Sequence, residues 1–259
     1  MPKKLHVHSK LNKGYGWRPG LPSMGFPLYS ARVEAAALPP SVDLRPHCPP
    51  VYDQGQLGSC TGNAWAGEIE FLQIKQGLTE FTPSRLFIYY NERVLDNDVN
   101  TDAGASISDG AHVVSTQGCP PETDWPYDVN AFAEKPPQTA FQDGLKHLAL
   151  QVQQVSQDLT SMKEVLVSGL PIVIGFVVYE SFESDQVTKT GVVPMPAHHE
   201  QKLGGHAVVV VGYDDSQSRF IVRNSWGDQW GMKGYFTMPY AYLTNPRLSS
   251  DFWLATKTE

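Results

Sequence analysis

From residue 60 to residue 76 the apolar positions Ala64, Trp65, Ile69, Leu72 and Ile74 fall largely at helical spacing, which predicts a helix. Ser59 is a good N-cap type and Gly77 a natural stop, so Cys60 is expected at the helix N-terminus. Pro83 suits a first helical position, and residues 85–93 continue helically. Residues 109–117 read as a short helix closed by Gly118. One more helix is expected over 159–168, ended by Gly169. Beyond Pro171 the chain turns rich in β-branched and aromatic residues, with strands expected over 172–179, 206–213, 220–223, 235–238 and 252–255. Helices first and strands later imply an α+β fold. The expected halves are a helical one over about 38–150 and a β one over about 151–259, with a cleft between them.

Residues 1–37 follow a different pattern. Gly14, Gly16, Pro19, Gly20, Pro22, Gly25 and Pro27 interrupt scattered aromatics, so this segment is expected to be extended, with the compact domain starting near Leu38. The full 259 residues are 41% apolar and 11% aromatic, enough for a sizeable core. A net charge of -7 gives no electrostatic reason to expect nucleic acid or an anionic membrane as partner. No stretch approaches the roughly 18 to 20 apolar residues of a membrane span. No apolar run follows the first basic residues as a secretory leader would require. A soluble monomer is expected, its compartment open between the cytoplasm and export without a visible leader. Three cysteines without CxxC spacing make a metal a poor expectation, and no cofactor is called for. If Cys60 stays free, Cys48 and Cys119, each followed by Pro-Pro, are a candidate disulfide. The alternative is two buried thiols.

A thiol at a helix N-terminus meets unpaired N–H groups and the positive end of the helix dipole, both of which favour thiolate. Cys60 has that placement. His206, opening the strand after Gly204-Gly205, is the candidate base, and Asn224 offers a side-chain carbonyl to orient it. Gln54, six residues before Cys60, carries an NH2 group that with the Cys60 amide forms a candidate oxyanion hole. Gly55 and Gly58 let the backbone between them bend closely, and Trp226 is placed to shield the Asn224–His206 hydrogen bond. Taken singly, Cys60 reads as an inert buried thiol and His206 as a structural histidine; their company with Gln54 and Asn224 reverses that balance. Residues 58–62 also fit a G-x-C-x-G nucleophile elbow, but residues 51–58 are no buried strand and Asn224 follows His206. His198-His199 and the acidic stretch 96–102 read as solvated loops.

Gln54, Gly58-Ser59-Cys60, Gly205-His206-Ala207 and Asn224-Ser225-Trp226-Gly227, in that order, resemble the motifs of the papain and cathepsin family of cysteine peptidases. His206 lies 146 residues after Cys60, within the spacing of roughly 130 to 150 known for such enzymes. The resemblance extends over about 38–256, through Val42-Asp43-Leu44-Arg45, Trp125-Pro126-Tyr127 and the run from Asn224 to Tyr235. Leu57 stands where plant and lysosomal members usually carry a disulfide cysteine and Thr61 where they carry an aromatic, so the likeness is to bacterial-type members. The resemblance implies a helical half packed on an antiparallel sheet or barrel. It also implies peptide hydrolysis through a Cys60 thioester, and a polypeptide substrate paired with Gly104-Ala105. A second pocket would be lined near Ala207 and Ser250, with an apolar or aromatic preference as the default and basic side chains tolerated if Ser250 or Asp251 forms its floor. Family prosegments lie through the cleft in the non-productive direction, which makes residues 1–37 a candidate intramolecular inhibitor anchored by Tyr15, Trp17 and Leu21. Internal cleavage is favoured over cleavage at chain ends. The alternatives are a transglutaminase-like acyltransferase, which usually orients its histidine with Asp, and a silent peptide-binding protein.

Overall fold

The computed structural model describes residues 13–20, 25–30 and 38–259. Among them the helices are α1 (Cys60–Gln76), α2 (Arg85–Leu95), α3 (Ile107–Thr116), α4 (Gln138–Gly144), α5 (Leu159–Val167), α6 (Asp185–Thr190) and α7 (Tyr240–Leu243). The strands are β1 (Ser41–Asp43), β2 (Ala149–Gln154), β3 (Ile172–Tyr179), β4 (Lys202–Asp214), β5 (Arg219–Arg223), β6 (Tyr235–Pro239) and β7 (Ser249–Thr258). They form one antiparallel seven-stranded sheet in the order β2-β7-β3-β4-β5-β6, with β1 added alongside β4. The fold is α+β, with helices packed against an antiparallel sheet, as expected.

Local chemistry explains the ends of the helices. Gly77 takes the left-handed conformation at φ +66° and returns its N–H to the carbonyls of Gln73 and Ile74, closing α1. Ser84 and Ser106 cap α2 and α3 by accepting from Phe87 N at 3.2 Å and Asp109 N at 3.0 Å. Pro83 therefore precedes the α2 cap rather than starting the helix. β4 is buried continuously from His206 to Tyr213, because the sheet is covered on both faces, which accounts for the uninterrupted apolar run in the sequence. Trp65, Ile69 and Leu72 of α1 are fully buried in the same core as Val208, Val210 and Val222.

Three expectations are corrected here. His206 does not open its strand: β4 starts at Lys202, because Gly204 and Gly205 already pair with Val178 and Val177. β1 and β2 bring residues before 151 into the sheet. The Cys48–Cys119 bridge does not form, and all three cysteines are free. Cys48 donates to Leu44 O at 3.5 Å near Arg223 and Tyr235, at the β5–β6 side of the sheet, whereas Cys119 binds His147 O, just ahead of β2 at the other edge. Among the described residues no helix is long and apolar enough to cross a membrane.

Candidate active site

Cys60 is fully buried at the first position of α1. The loop leading to it is stitched to the stretch after β5. Gln54 N donates to Ser225 O at 2.9 Å, Gly227 N to Tyr52 O at 2.9 Å, and Asp53 bridges Trp226. Gln54 Nε2 donates to the carbonyls of Leu57 at 2.9 Å and Gly14 at 3.0 Å, which can only accept and so identify the nitrogen, and Ser225 Oγ donates to Oε1 at 2.7 Å. Tyr127 OH donates to Gln54 O at 3.0 Å and shares a 2.5 Å hydrogen bond with Ser59 Oγ. Ser59 is thus the N-cap by position only, its hydroxyl being committed to Tyr127 and Asn63.

β4 and β5 are paired through Val209 and Arg223, and this register brings Asn224 beside His206. Asn224 Oδ1 lies 2.8 Å from His206 Nε2 and also accepts from Ser225 N at 2.9 Å. An oxygen at that position requires the proton on Nε2, which leaves a lone pair on Nδ1. Nδ1 is buried without a hydrogen-bond partner among the described residues. Trp226 covers the pair, its ring centroid 5.0 Å from the imidazole and tilted by 30°. Phe176 and Phe182 complete an apolar wall around the histidine, at 5.7 and 6.4 Å.

The electrostatics depart from the expectation of a thiolate. Burial pushes the Cys60 thiol up to about 12, against the smaller downward pull of the Ala207, Gly16 and Thr61 amides and with a further upward push from Glu92. Burial lowers His206 to about 4, the Asn224 hydrogen bond opposing it. Both groups are neutral at pH 7. The helix N-terminus is present, but Cys60 is sealed from solvent, and desolvation outweighs it.

Residues 13–20 form that seal. Lys13 Nζ reaches Asp53 Oδ1 at 2.7 Å, and Gly14 O accepts from Gln54. The Tyr15 ring stands 6.1 Å from His206 and 5.9 Å from Trp226, its hydroxyl donating to Glu183 Oε1 at 2.5 Å. Gly16 passes so close that a Cβ there would land on the Gly58 carbonyl. Its amide faces the Cys60 sulfur, and its carbonyl accepts from Ala105 N at 2.8 Å. Trp17 N donates to Gly205 O at 3.0 Å, and Arg18 N to Ala105 O at 2.9 Å, so the segment runs parallel to Gly104-Ala105. The Trp17 indole lies on Gly175 and Gly205, and its Nε1 donates to Asp251 Oδ2 at 3.1 Å. Gly20 N donates to the same oxygen at 2.8 Å. Arg18 pairs with Asp96.

The candidate residues therefore divide. Cys60, His206, Asn224, Gln54 and Trp226 come together, and Gly104, Ala105 and Asp251 line the path of the segment. Ala207 directs its amide at Cys60, and Ser250 pairs with Gly175 on β3 while Asp251 makes the polar contacts. Burial raises the Asp251 carboxyl, against the lowering effect of the Gly20 amide and the Trp17 indole. Tyr15 and Trp17 lie in the cleft; Leu21 falls outside the described residues. Ser225 and Tyr127, which orient and anchor Gln54, were not singled out from the sequence, although both lie inside the motifs that carried the resemblance. Among the described residues no cluster of His, Cys, Asp or Glu could hold a metal ion.

Comparison with known proteins gives consistent results. The family model described as papain family cysteine protease matches residues 38–246. An uncharacterized peptidase C1-like protein of Acanthamoeba polyphaga mimivirus is 47% identical over 213 residues, covering 78% of this chain and 68% of the viral protein. Cysteine proteinase 3 of Dictyostelium discoideum is 28% identical over 204 residues, 73% of this chain and 55% of that protein. Among solved structures, xylellain, a cysteine protease from Xylella fastidiosa, superposes with a TM-score of 0.89 at 40% identity, covering 96% of this chain and 97% of that one. The procathepsin B S9 of Trypanosoma congolense shares the fold, with a TM-score of 0.76 at 18% identity over 97% of this chain and 88% of its own.

Proposed function

The chain belongs to the papain family of cysteine proteases and is a hydrolase of peptide bonds, and we propose that it works through Cys60 as nucleophile, His206 as acid and base, and Asn224 as the group that orients His206. His206 Nδ1 takes the thiol proton, and sulfur attacks the scissile carbonyl carbon. The oxyanion accepts from Gln54 Nε2 and the Cys60 amide. The imidazolium, held by Asn224, gives its proton to the leaving amine, and water activated by the same imidazole hydrolyses the thioester.

One observation carries this assignment: Gln54 Nε2 already holds a peptide carbonyl, that of Gly14, at 3.0 Å, beside a histidine whose Nδ1 alone is unengaged. The test is hydrolysis of a fluorogenic dipeptide amide, with labelling by a thiol-directed peptidyl epoxide. Both are expected to vanish in Cys60→Ala, and hydrolysis that survives the substitution would refute the assignment.

Residues 13–20 act, in this reading, as an inhibitor built into the chain. Support comes from the Gly16 N–H, which faces the sulfur, and from the neutral state that burial imposes on Cys60 and His206. A chain starting at Leu38 is expected to be far more active than the full chain; equal rates would rule inhibition out. The segment passes Cys60 near its middle, so the cleft accepts chain on both sides of the nucleophile, as cleavage of internal bonds requires. Asp251 beside the pocket filled by Trp17 suits a basic substrate side chain there.

A further inference from the structure

Two stretches of backbone on the helical side of the cleft must keep a fixed separation for the proposed chemistry. One is the loop from Gly58 to Cys60, which carries the oxyanion amide. The other is Gly104-Ala105, whose groups already bind the chain lying in the cleft at Gly16 and Arg18. No disulfide joins them, since every cysteine is free.

A carboxylate and a phenol join them instead. Gly58 N donates to both oxygens of Asp102, at 3.0 Å each. Tyr89 OH donates to Asp102 Oδ1 at 2.5 Å and accepts from Gly104 N at 3.2 Å. Asp102 itself is reached by solvent, but its donors are not: Gly58 is buried and Tyr89 is fully buried on α2. Tyr89 is held in turn by Arg93, whose guanidinium lies 4.2 Å from the centre of the phenol ring. Arg93 also ties down the loop carrying Asp102, by donating to Val99 O at 2.7 Å and Thr101 O at 3.3 Å, and it binds Phe132 O. The acidic stretch 96–102 is therefore pinned at its Asp102 end, where the sequence suggested only a solvated loop.

We propose that Asp102, with Tyr89, is a positioning residue of the peptidase, setting the spacing between the oxyanion loop and the edge that pairs with the substrate backbone. It touches no reacting atom. It acts through the Gly58 amide on the transition state and, by way of Tyr89, through the Gly104 amide on substrate binding. The two partners should therefore separate in kinetics. Asp102→Asn turns an NH2 toward the Gly58 amide and loosens the oxyanion loop. Tyr89→Phe leaves Asp102 on Gly58 but frees Gly104. Since an ångström of misplacement costs up to ~100-fold in rate, Asp102→Asn is expected to lower kcat by ~10-fold or more with a smaller change in KM. Tyr89→Phe is expected to raise KM severalfold, with kcat within about twofold.

The inference rests on the assignment of the oxyanion hole and is tested so that the two fail separately. Both variants are made in the full chain with Trp17→Ala as common background; if that background gains nothing over the plain chain, the plain chain serves as parent. Values of kcat and KM for a dipeptide amide are taken per epoxide-titrated site, so that loss of folded protein does not count as loss of rate. Hydrolysis surviving in Cys60→Ala would sink the site assignment. With Cys60→Ala inactive, a per-site kcat within twofold of the parent in Asp102→Asn would overturn the positioning role, as would the two variants altering one parameter by the same factor. Should Asp102→Asn fail to fold, Tyr89→Phe decides alone, and an unchanged KM overturns the proposal.

Discussion

Trp17→Ala in the full chain tests how tightly the cleft is closed. Trp17 is 5% exposed, lies against Gly175 and Gly205, and donates its indole N–H to Asp251 at 3.1 Å. Truncating a buried Trp to Ala costs about 3 to 5 kcal/mol. The lower figure is the appropriate one, because opening the cleft returns Asp251 to water and restores its hydrogen bonds. At about 1.4 kcal/mol per factor of ten, ~3 kcal/mol raises the open fraction by roughly 150-fold for as long as the closed state dominates. The rate of dipeptide amide hydrolysis should rise by the same factor, and so should the rate of epoxide labelling at Cys60. Intact mass recorded at the end of the assay establishes that the gain comes from opening and not from removal of the segment. A rate within about threefold of the parent, on chains of intact mass, would refute the reasoning.

Three further outcomes follow from the site. Gln54→Ala removes one proposed oxyanion donor and should lower kcat by roughly 100- to 1000-fold; a loss below tenfold would remove Gln54 from that role. Asn224→Ala leaves His206 free to turn and should lower kcat by ~10- to 100-fold, with KM much less affected; equal effects on both would point to lost binding instead. His206 protonates near 6.5 in water but near 4 in the closed cleft. For a base whose pKa is depressed by closure, the contribution to closure is complete above about pH 6.5 and is lost as the pH falls toward about 4. Exchange of the Trp17 and Arg18 amides, corrected for its intrinsic pH dependence, should accordingly quicken in acid, and His206→Ala should flatten the profile; a flat profile in the parent would exclude this linkage.

Much of this was legible in the sequence where a local rule and the tertiary context agree. α1 runs from Cys60 to Gln76 as read, and β3 from Ile172 to Tyr179, because Gly77 and the β-branched run act on their own neighbours. β1 and β2 were missed since SVD and ALQVQQ are too short or too polar to announce a strand; pairing with Gly212 to Asp214 and with β7 makes them one. The sequence places the strand's start only at His206, yet the two glycines before it are strand positions that leave room for Tyr15 and Trp17. The low thiol pKa failed for a related reason. Residue type and helix position foretell the dipole, whereas desolvation depends on residues 13–20, which only the folded chain brings to the sulfur. Ser59 followed the same pattern: the position was right, and the hydroxyl's allegiance to Tyr127, 68 residues away, was invisible.

The three unbridged cysteines bear on where such a molecule can operate. Reductant keeps an exposed thiol from oxidising, and many small domains would lose structural disulfides under those conditions. Here the loop before Cys60 and the Gly104-Ala105 stretch are joined by a carboxylate, a phenol and a guanidinium, none of which responds to reductant. Conditions that keep Cys60 reduced leave the framework intact, so catalytic competence and structural integrity do not compete for the same redox potential.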